Sequence, residues 1–225
     1  MNRREFVISA CAGALTLTGV SRLAGQAKTI APDLGALADA KKLTLFNRGA
    51  SRLVDGARKG VRLTEAGGEG VAFLPGIEFA NGSIEFDVRG KDVAQQSFVG
   101  VAFHAVDATT YDAIYFRPFN FRAADAVSRS HAVQYHSLPL YTWQKLRSEQ
   151  PGKYEQAVNP VPDPNTWFRA RVVIANPKAS VFVADAKEPC LVVNLLNDRR
   201  KGLVGLWVGN NSGGDFANLA ITPAA

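Results

Sequence analysis

The stretch "NGSIEFDVRG", Asn81–Gly90, alternates apolar and polar residues with a period of two. Ile84, Phe86 and Val88 fall on one side of an extended chain and Glu85, Asp87 and Arg89 on the other, whereas a helix would scatter both sets. The stretch therefore reads as a β-strand with one buried and one polar face. Two carboxylates on one strand face also raise a chemical question. They are either an acid pair that works on a substrate or a solvated face tied up in ion pairs, and the ion-paired reading is the simpler one.

The same grammar recurs along the chain. From Leu43 onward, "LTLF", "SRLVDG", "GVRLTE", "EGVAFLP", "GSIEFDV", "SFVGVAFHAV", "YDAIYFRP", "HAVQYHS", "WFRARVVIA", "ASVFVAD", "CLVVNLL", "LVGLWVG" and "FANLAIT" are short β-rich runs between turn residues. Such runs without a sustained helical period predict an all-β sandwich of antiparallel sheets. Residues 28–42, "KTIAPDLGALADAKK", lack strand patterning and read as a linker or a short helix ahead of a domain over 43–225. Two segments interrupt the rhythm, "PFNFRAADAVSRS" at 118–130 and "SLPLYTWQKLRSEQPGKYEQAVNPVPDPN" at 137–165. A connection as long as the second is usually either disordered or functional. Its Tyr141, Trp143 and Tyr154 need a surface to pack on and so predict order.

The N-terminus, "MNRREFVISACAGALTLTGVSRLAGQA", has a charged start, an apolar middle and small residues at Gly25 and Ala27, the pattern of an export signal. Arg3 and Arg4 followed by Phe6 resemble the twin-arginine motif, which predicts a periplasmic or secreted protein. The apolar run Val7–Val20 is shorter than the roughly 20 residues that span a bilayer, so no transmembrane segment is expected. Cleavage after Ala27 would take 27 of 225 residues and leave 198, and the loss of Arg3, Arg4, Arg22 and Glu5 would lower the net charge from +6 to +4. With no dense Lys/Arg cluster, a nucleic-acid partner is not expected. Cys190 alone survives processing, so an apolar core and not a disulfide must hold the fold.

The ordered series "NGSIEFDVRG", "SFVGVAFHAVDATTYDAIYFRPFNF", "VQYHSLPLYTWQKLR", "PGKYE", "WFRARVVI" and "GLVGLWVGNNSGGDFANLAIT" resembles the concanavalin A-like (laminin G-like) jelly roll over residues 43–222. Within that superfamily it is similar to bacterial family 16 glycoside hydrolase-like and 3-keto-disaccharide hydrolase domain proteins. The resemblance implies two antiparallel sheets, a glycan groove on the concave one, and a carbohydrate partner. Relatives on this fold include enzymes, lectins and adhesion modules, so a non-catalytic glycan-binding module of the cell envelope is the alternative to a hydrolase. The family 16 pattern needs two glutamates on successive same-face positions around an aspartate. This chain has Glu85, Asp87 and Arg89, and a guanidinium cannot give up and recover a proton at neutral pH.

Alternation in the other runs collects further groups on one expected wet face: His104, Tyr111, Tyr115, Arg117, Gln134, His136 and Trp207 point away from inward Val101, Phe103, Ile114, Phe116, Val133, Tyr135 and Leu206. Indoles stack on sugar C–H faces while Arg and Gln offer planar donors to hydroxyls. If the chain is an enzyme, Glu85 or His104 is the proton-transfer candidate and Arg117 the clamp. Asp87, Tyr115, Gln134, His136, Trp143 and Trp207 are the substrate-binding candidates. Trp143 reads equally well as a packing anchor, and a one-residue register error would turn Trp207 into core. No closely spaced metal-ligand motif and no nucleophile elbow occurs. No cofactor is expected, although a structural calcium, common in the superfamily, would draw on Asp87, Asp107, Asp112 or Asp215.

Overall fold

The computed structural model describes residues 28–225, so the export signal expected over 1–27 lies outside the described residues. Two seven-stranded antiparallel sheets pack face to face as a jelly-roll sandwich. The first sheet runs β1 (Thr44–Phe46), β4 (Gly70–Phe79), β13 (Gly202–Val208), β6 (Val99–Asp107), β7 (Thr110–Phe116), β8 (Val133–Ser137) and β9 (Glu155–Gln156). The second runs β12 (Leu191–Asn194), β11 (Lys178–Val183), β10 (Phe168–Ala175), β5 (Gly82–Arg89), β14 (Gly214–Pro223), β3 (Arg58–Leu63) and β2 (Ala50–Asp55). All of the runs picked out by alternation are strands. Only β9, two residues inside the long irregular segment, has no counterpart among them.

The core lies where the alternation puts it. Ile84, Phe86 and Val88 of β5 are fully buried against β10 and β14, with Val88 opposite both Phe168 and Phe216. Val101, Phe103, Ile114, Phe116, Val133, Tyr135 and Leu206 meet them from the first sheet. Residues 28–42 carry α1 (Leu34–Asp39), capped by Asp33, whose carboxylate accepts from the Ala36 N–H at 2.9 Å. Leu34 and Ala38 are buried in the sandwich core, and Ile30 pairs with Ile221, so this segment is docked on the domain. Among the described residues no helix is long and apolar enough to cross a membrane.

The outer faces of the two sheets differ. On the second sheet the outer face is an ionic lattice. Glu85 pairs with Arg169 at 3.0 Å, Asp87 with Arg58 at 3.2 Å and Arg169 at 3.3 Å, and Arg89 with Asp55 and Asp215 at 2.7 Å each. On the first sheet the expected wet face is instead a second, smaller apolar layer built from Val71, Phe73, Tyr111, Tyr115 and Trp207. One row of cross-strand partners crosses this whole sheet in the order Phe46, Val71, Trp207, Gly100, Tyr115, Gln134, Glu155. Gly100 stands between the two largest rings. A Cβ there would lie 2.5 Å from the Tyr115 Cα, so the missing side chain lets Tyr115 and Trp207 meet with centroids 4.6 Å apart.

The two faces of β5 separate experimentally. Phe86→Ala should cost about 3–5 kcal/mol in chemical denaturation. Glu85→Ala, which cuts one partly exposed ion pair, should cost less than about 1 kcal/mol. The reverse order would mean that the register of β5 is wrong.

Candidate functional site

A cavity of about 460 Å³ opens over the aromatic layer of the first sheet. Its floor is Trp207, Tyr115 and Arg117. The loops that interrupted the strand rhythm form its walls. The 3-10 turn Pro118–Asn120 and α2 (Ala126–Ser130) lead to His131, and α3 (Trp143–Glu149) supplies Trp143 and Arg147. Thr142 caps α3 by accepting from the Lys145 N–H, which places Trp143 at its first turn and Arg147 one turn on, the guanidinium 5.0 Å over the indole. The remaining wall comes from Phe98, Gly209, Asn210 and the Gly68–Glu69 loop. Gly209 must be a glycine, because a Cβ there would lie 2.6 Å from the Phe98 Cβ.

Arg48 fixes the loop side of the cavity. It is buried and donates to the carbonyls of Asn47 at 2.5 Å, Gly68 at 2.7 Å, Gly209 at 2.8 Å and Ser212 at 3.1 Å. One guanidinium thus ties three loops into one wall, and burial lowers its pKa.

Arg117 is only 4% exposed and is held by the protein itself. It donates to the His131 carbonyl at 2.7 Å, to the Tyr115 hydroxyl at 3.0 Å and to Gln134 Oε1, and it stacks 5.0 Å over the Tyr115 ring. Tyr115 in turn donates to Gln134 Oε1 at 2.9 Å. Burial lowers the Arg117 pKa and pushes the Tyr115 phenol up to about 12. Arg117 is therefore a framework residue of the floor more than a free clamp. Glu155, 2% exposed, closes the row beneath the cavity. It receives Arg147 through three bonds, from Nε at 2.9 Å to Oε1 and 3.2 Å to Oε2 and from Nη2 at 2.6 Å to Oε2, with His131 at 3.3 Å and Arg117 at 4.0 Å.

A second chain of polar contacts reaches Glu69. Trp207 Nε1–H donates to the Tyr111 hydroxyl at 3.0 Å, and that hydroxyl donates to the Glu69 carboxylate. Burial and the Glu69 charge push the Tyr111 pKa upward, so it stays a donor. His136 is fully buried among Tyr115, Trp207 and Tyr111, with ring centroids 5.4, 5.5 and 5.9 Å away. Neither of its nitrogens has a hydrogen-bond partner among the described residues, and desolvation lowers its pKa.

The residues picked from the sequence thus divide. Tyr115, Arg117, Trp143 and Trp207 line the cavity, while Gln134 and His136 lie sealed beneath it. Glu85 and Asp87 do not join them, because they stand on the outer face of the opposite sheet, engaged by arginines. His104 does not join them either. The pairing of β6 with β7 slips between Phe103 and Asp107, His104 takes φ 48°, and its ring turns into a buried niche beside Phe79 and Phe103. There Nε2 lies 2.7 Å from the Ala80 carbonyl, and burial lowers the pKa.

The aspartates considered for calcium are likewise occupied. Asp87 holds Arg58, Arg169 and Asn218; Asp215 holds Arg62 and Arg89; Asp112 holds Tyr135, Asn197 and Arg199; Asp107 accepts from Thr109. Among the described residues no three His, Cys, Asp or Glu side chains gather as a metal site. The alternation could not find Glu69, Phe98, His131, Arg147 and Asn210, because all of them sit on loops, strand ends or the helix α3.

No protein-family model and no curated protein matches the sequence. Solved structures do share the architecture. The carbohydrate binding module CBM66 from Bacillus subtilis is 14% identical, with 79% of this chain and 92% of that one covered at a TM-score of 0.53. A protein of unknown function with a galectin-like fold, also from Bacillus subtilis, is 14% identical, with 87% and 96% covered at 0.57. The exoplasmic/lumenal domain of VIP36, in a form bound to Ca2+ and Man3GlcNAc, is 10% identical, with 81% and 84% covered at 0.53. The chain therefore shares the jelly-roll sandwich fold of these structures.

Truncating a buried cation that holds buried neighbours leaves those neighbours unpaired. Arg117→Ala should therefore lower stability by on the order of 3 kcal/mol. An unchanged melting temperature would place Arg117 outside the framework. Acid should also weaken the fold. Desolvation lowers the pKa of all three histidines, His104, His131 and His136, from 6.5. Below that value the unfolded chain takes up protons that the folded chain refuses, so stability is present above it and lost on acidification. Melting temperature should fall steadily from pH 7.5 to pH 5, and a flat profile over that interval would contradict imidazoles held neutral by the fold.

Proposed function

We propose that this chain binds a saccharide in the cavity between Trp143 and Trp207. The observation that carries the reading is the make-up of that cavity. Half-buried aromatic faces, Trp143 and Phe98, stand beside the planar polar groups of Glu69, Asn210 and Arg147 on a prearranged floor. Sugar rings ask for this pairing, with C–H faces to stack and hydroxyls that need fixed donors and acceptors. The volume falls within the 300–1,000 Å³ usual for ligand pockets. The shared architecture with a carbohydrate binding module and with a mannose-oligosaccharide-bound VIP36 domain supports it. The N-terminal pattern supports an exported, periplasmic or secreted location through a twin-arginine signal.

Binding without cleavage, as in a cell-envelope glycan-binding or adhesion module, is the form of the reading the lining favours. Glycoside hydrolysis ordinarily needs two carboxyl groups across the scissile bond, and among the described residues Glu69 is the one carboxylate lining this cavity. The family 16 arrangement has no footing here, since Glu85 and Asp87 are ion-paired on the other sheet. Cleavage, including that of a 3-keto-glycoside, is a second reading that rests on Glu69 and His131 as proton-transfer groups within one cavity.

Trp143→Ala should weaken the best ligand of a glycan array about tenfold or more in calorimetry, with little change in melting temperature. Unaltered affinity would remove the cavity from the binding site. Mass spectrometry after incubation with glycosides and 3-keto-glycosides should show no product. A product whose formation stops in Glu69→Gln would move the protein to the hydrolytic reading.

A further inference from the structure

A second cavity, of about 380 Å³, opens beside the first and shares Gly68 and Glu69 with it. We infer that the ligand is a neutral saccharide chain of at least two rings, which runs from the Trp143–Trp207 cavity across Glu69 into this second cavity. The inference rests on the saccharide reading above and adds the length and charge class of what is bound.

Continuity is the first support. Glu69 belongs to both walls, and the Tyr111 that orients it lines the second cavity. Phe46, at the far edge of that cavity, is the end of the cross-strand row that begins beneath the first one and passes through Trp207 and Val71. Neighbouring strands are about 4.8 Å apart, so the four steps from Tyr115 on β7 to Phe46 on β1 cover roughly 19 Å, more than one pyranose ring can span.

The linings are the second support. Phe46, Leu138 and Pro139 give the second cavity an apolar wall that suits ring faces, and Phe46 is 41% exposed at its rim. At the junction, Tyr111 engages Glu69 through Oε2, which leaves Oε1 to accept hydroxyls. A carboxylate in that place accepts from a polyol and repels a uronate or sulfate. Of the cations that line the first cavity, Arg147 is paired with the Glu155 carboxylate, and Arg117 is buried with its N–H groups on Gln134, Tyr115 and the His131 carbonyl, so Glu69 is the charged group that faces the junction.

The test uses a glycan array containing neutral and uronate oligosaccharides, then calorimetry with the one-, two- and three-ring members of the best-retained series. Wild type, Phe46→Ala and Trp143→Ala are compared, with melting temperatures as the folding control. Affinity should rise about tenfold or more from one ring to two or three, and Phe46→Ala should remove most of that rise while leaving single-ring affinity unchanged. Equal affinity at all lengths, no effect of Phe46→Ala, or preference for uronates would overturn the inference even if Trp143→Ala abolishes binding. If no saccharide is retained, or if Trp143→Ala changes nothing, the saccharide reading itself fails and takes this inference with it.

Discussion

A position without a side chain organises the functional face. Gly100 lies between Trp207 and Tyr115 in one transverse row of the first sheet, and any Cβ there would collide with its neighbour's backbone. The two rings close over the gap and form a rigid aromatic floor. Arg117 stacks on that floor, Gln134 accepts from both Tyr115 and Arg117, and Glu155 completes the row under the helix that carries Trp143 and Arg147. The geometry of the cavity therefore follows from sheet register, and its walls follow from what the two long connections can dock onto.

Charge is divided between the two outer faces with different consequences. On the second sheet, arginines clasp the carboxylates of β5 and β14, so that Asp87 and Asp215 are themselves buried and no carboxyl of Glu85, Asp87 or Asp215 is left free for proton transfer. On the first sheet the charges are few, buried and hydrogen-bonded, so each one fixes the position of others. Arg48 and Arg117 have the same role at two ends of the cavity: each replaces a set of separate loop contacts with one cation shared among carbonyls and hydroxyls.

Period-two alternation was enough to read the sandwich and the inward residues of its strands, because burial of one face leaves no freedom of register. Trp207, Tyr115 and Arg117 were legible for the same reason. The sheet to which each strand belongs was not legible. Glu85 and Arg117 look equivalent in a linear pattern, yet they end on opposite surfaces, since sheet membership is settled by long-range pairing. His104 was misplaced because a bulge shifts the face of a residue without any change in composition. Glu69 sits among glycines with no period to mark it, and Arg147 lies on a helix too short to show its own. The aromatic content of the 137–165 segment was the one signal that pointed to its wall of the cavity.

Hydrogen-exchange mass spectrometry of the protein with and without its best-retained oligosaccharide tests the central claim most directly. Protection should concentrate in residues 67–69, 118–131, 141–149 and 209–210, which wall the cavity, while the outer face of β5 and β10 stays unchanged. Protection centred on Glu85, Asp87 and Arg169, with the cavity walls unaffected, would contradict it.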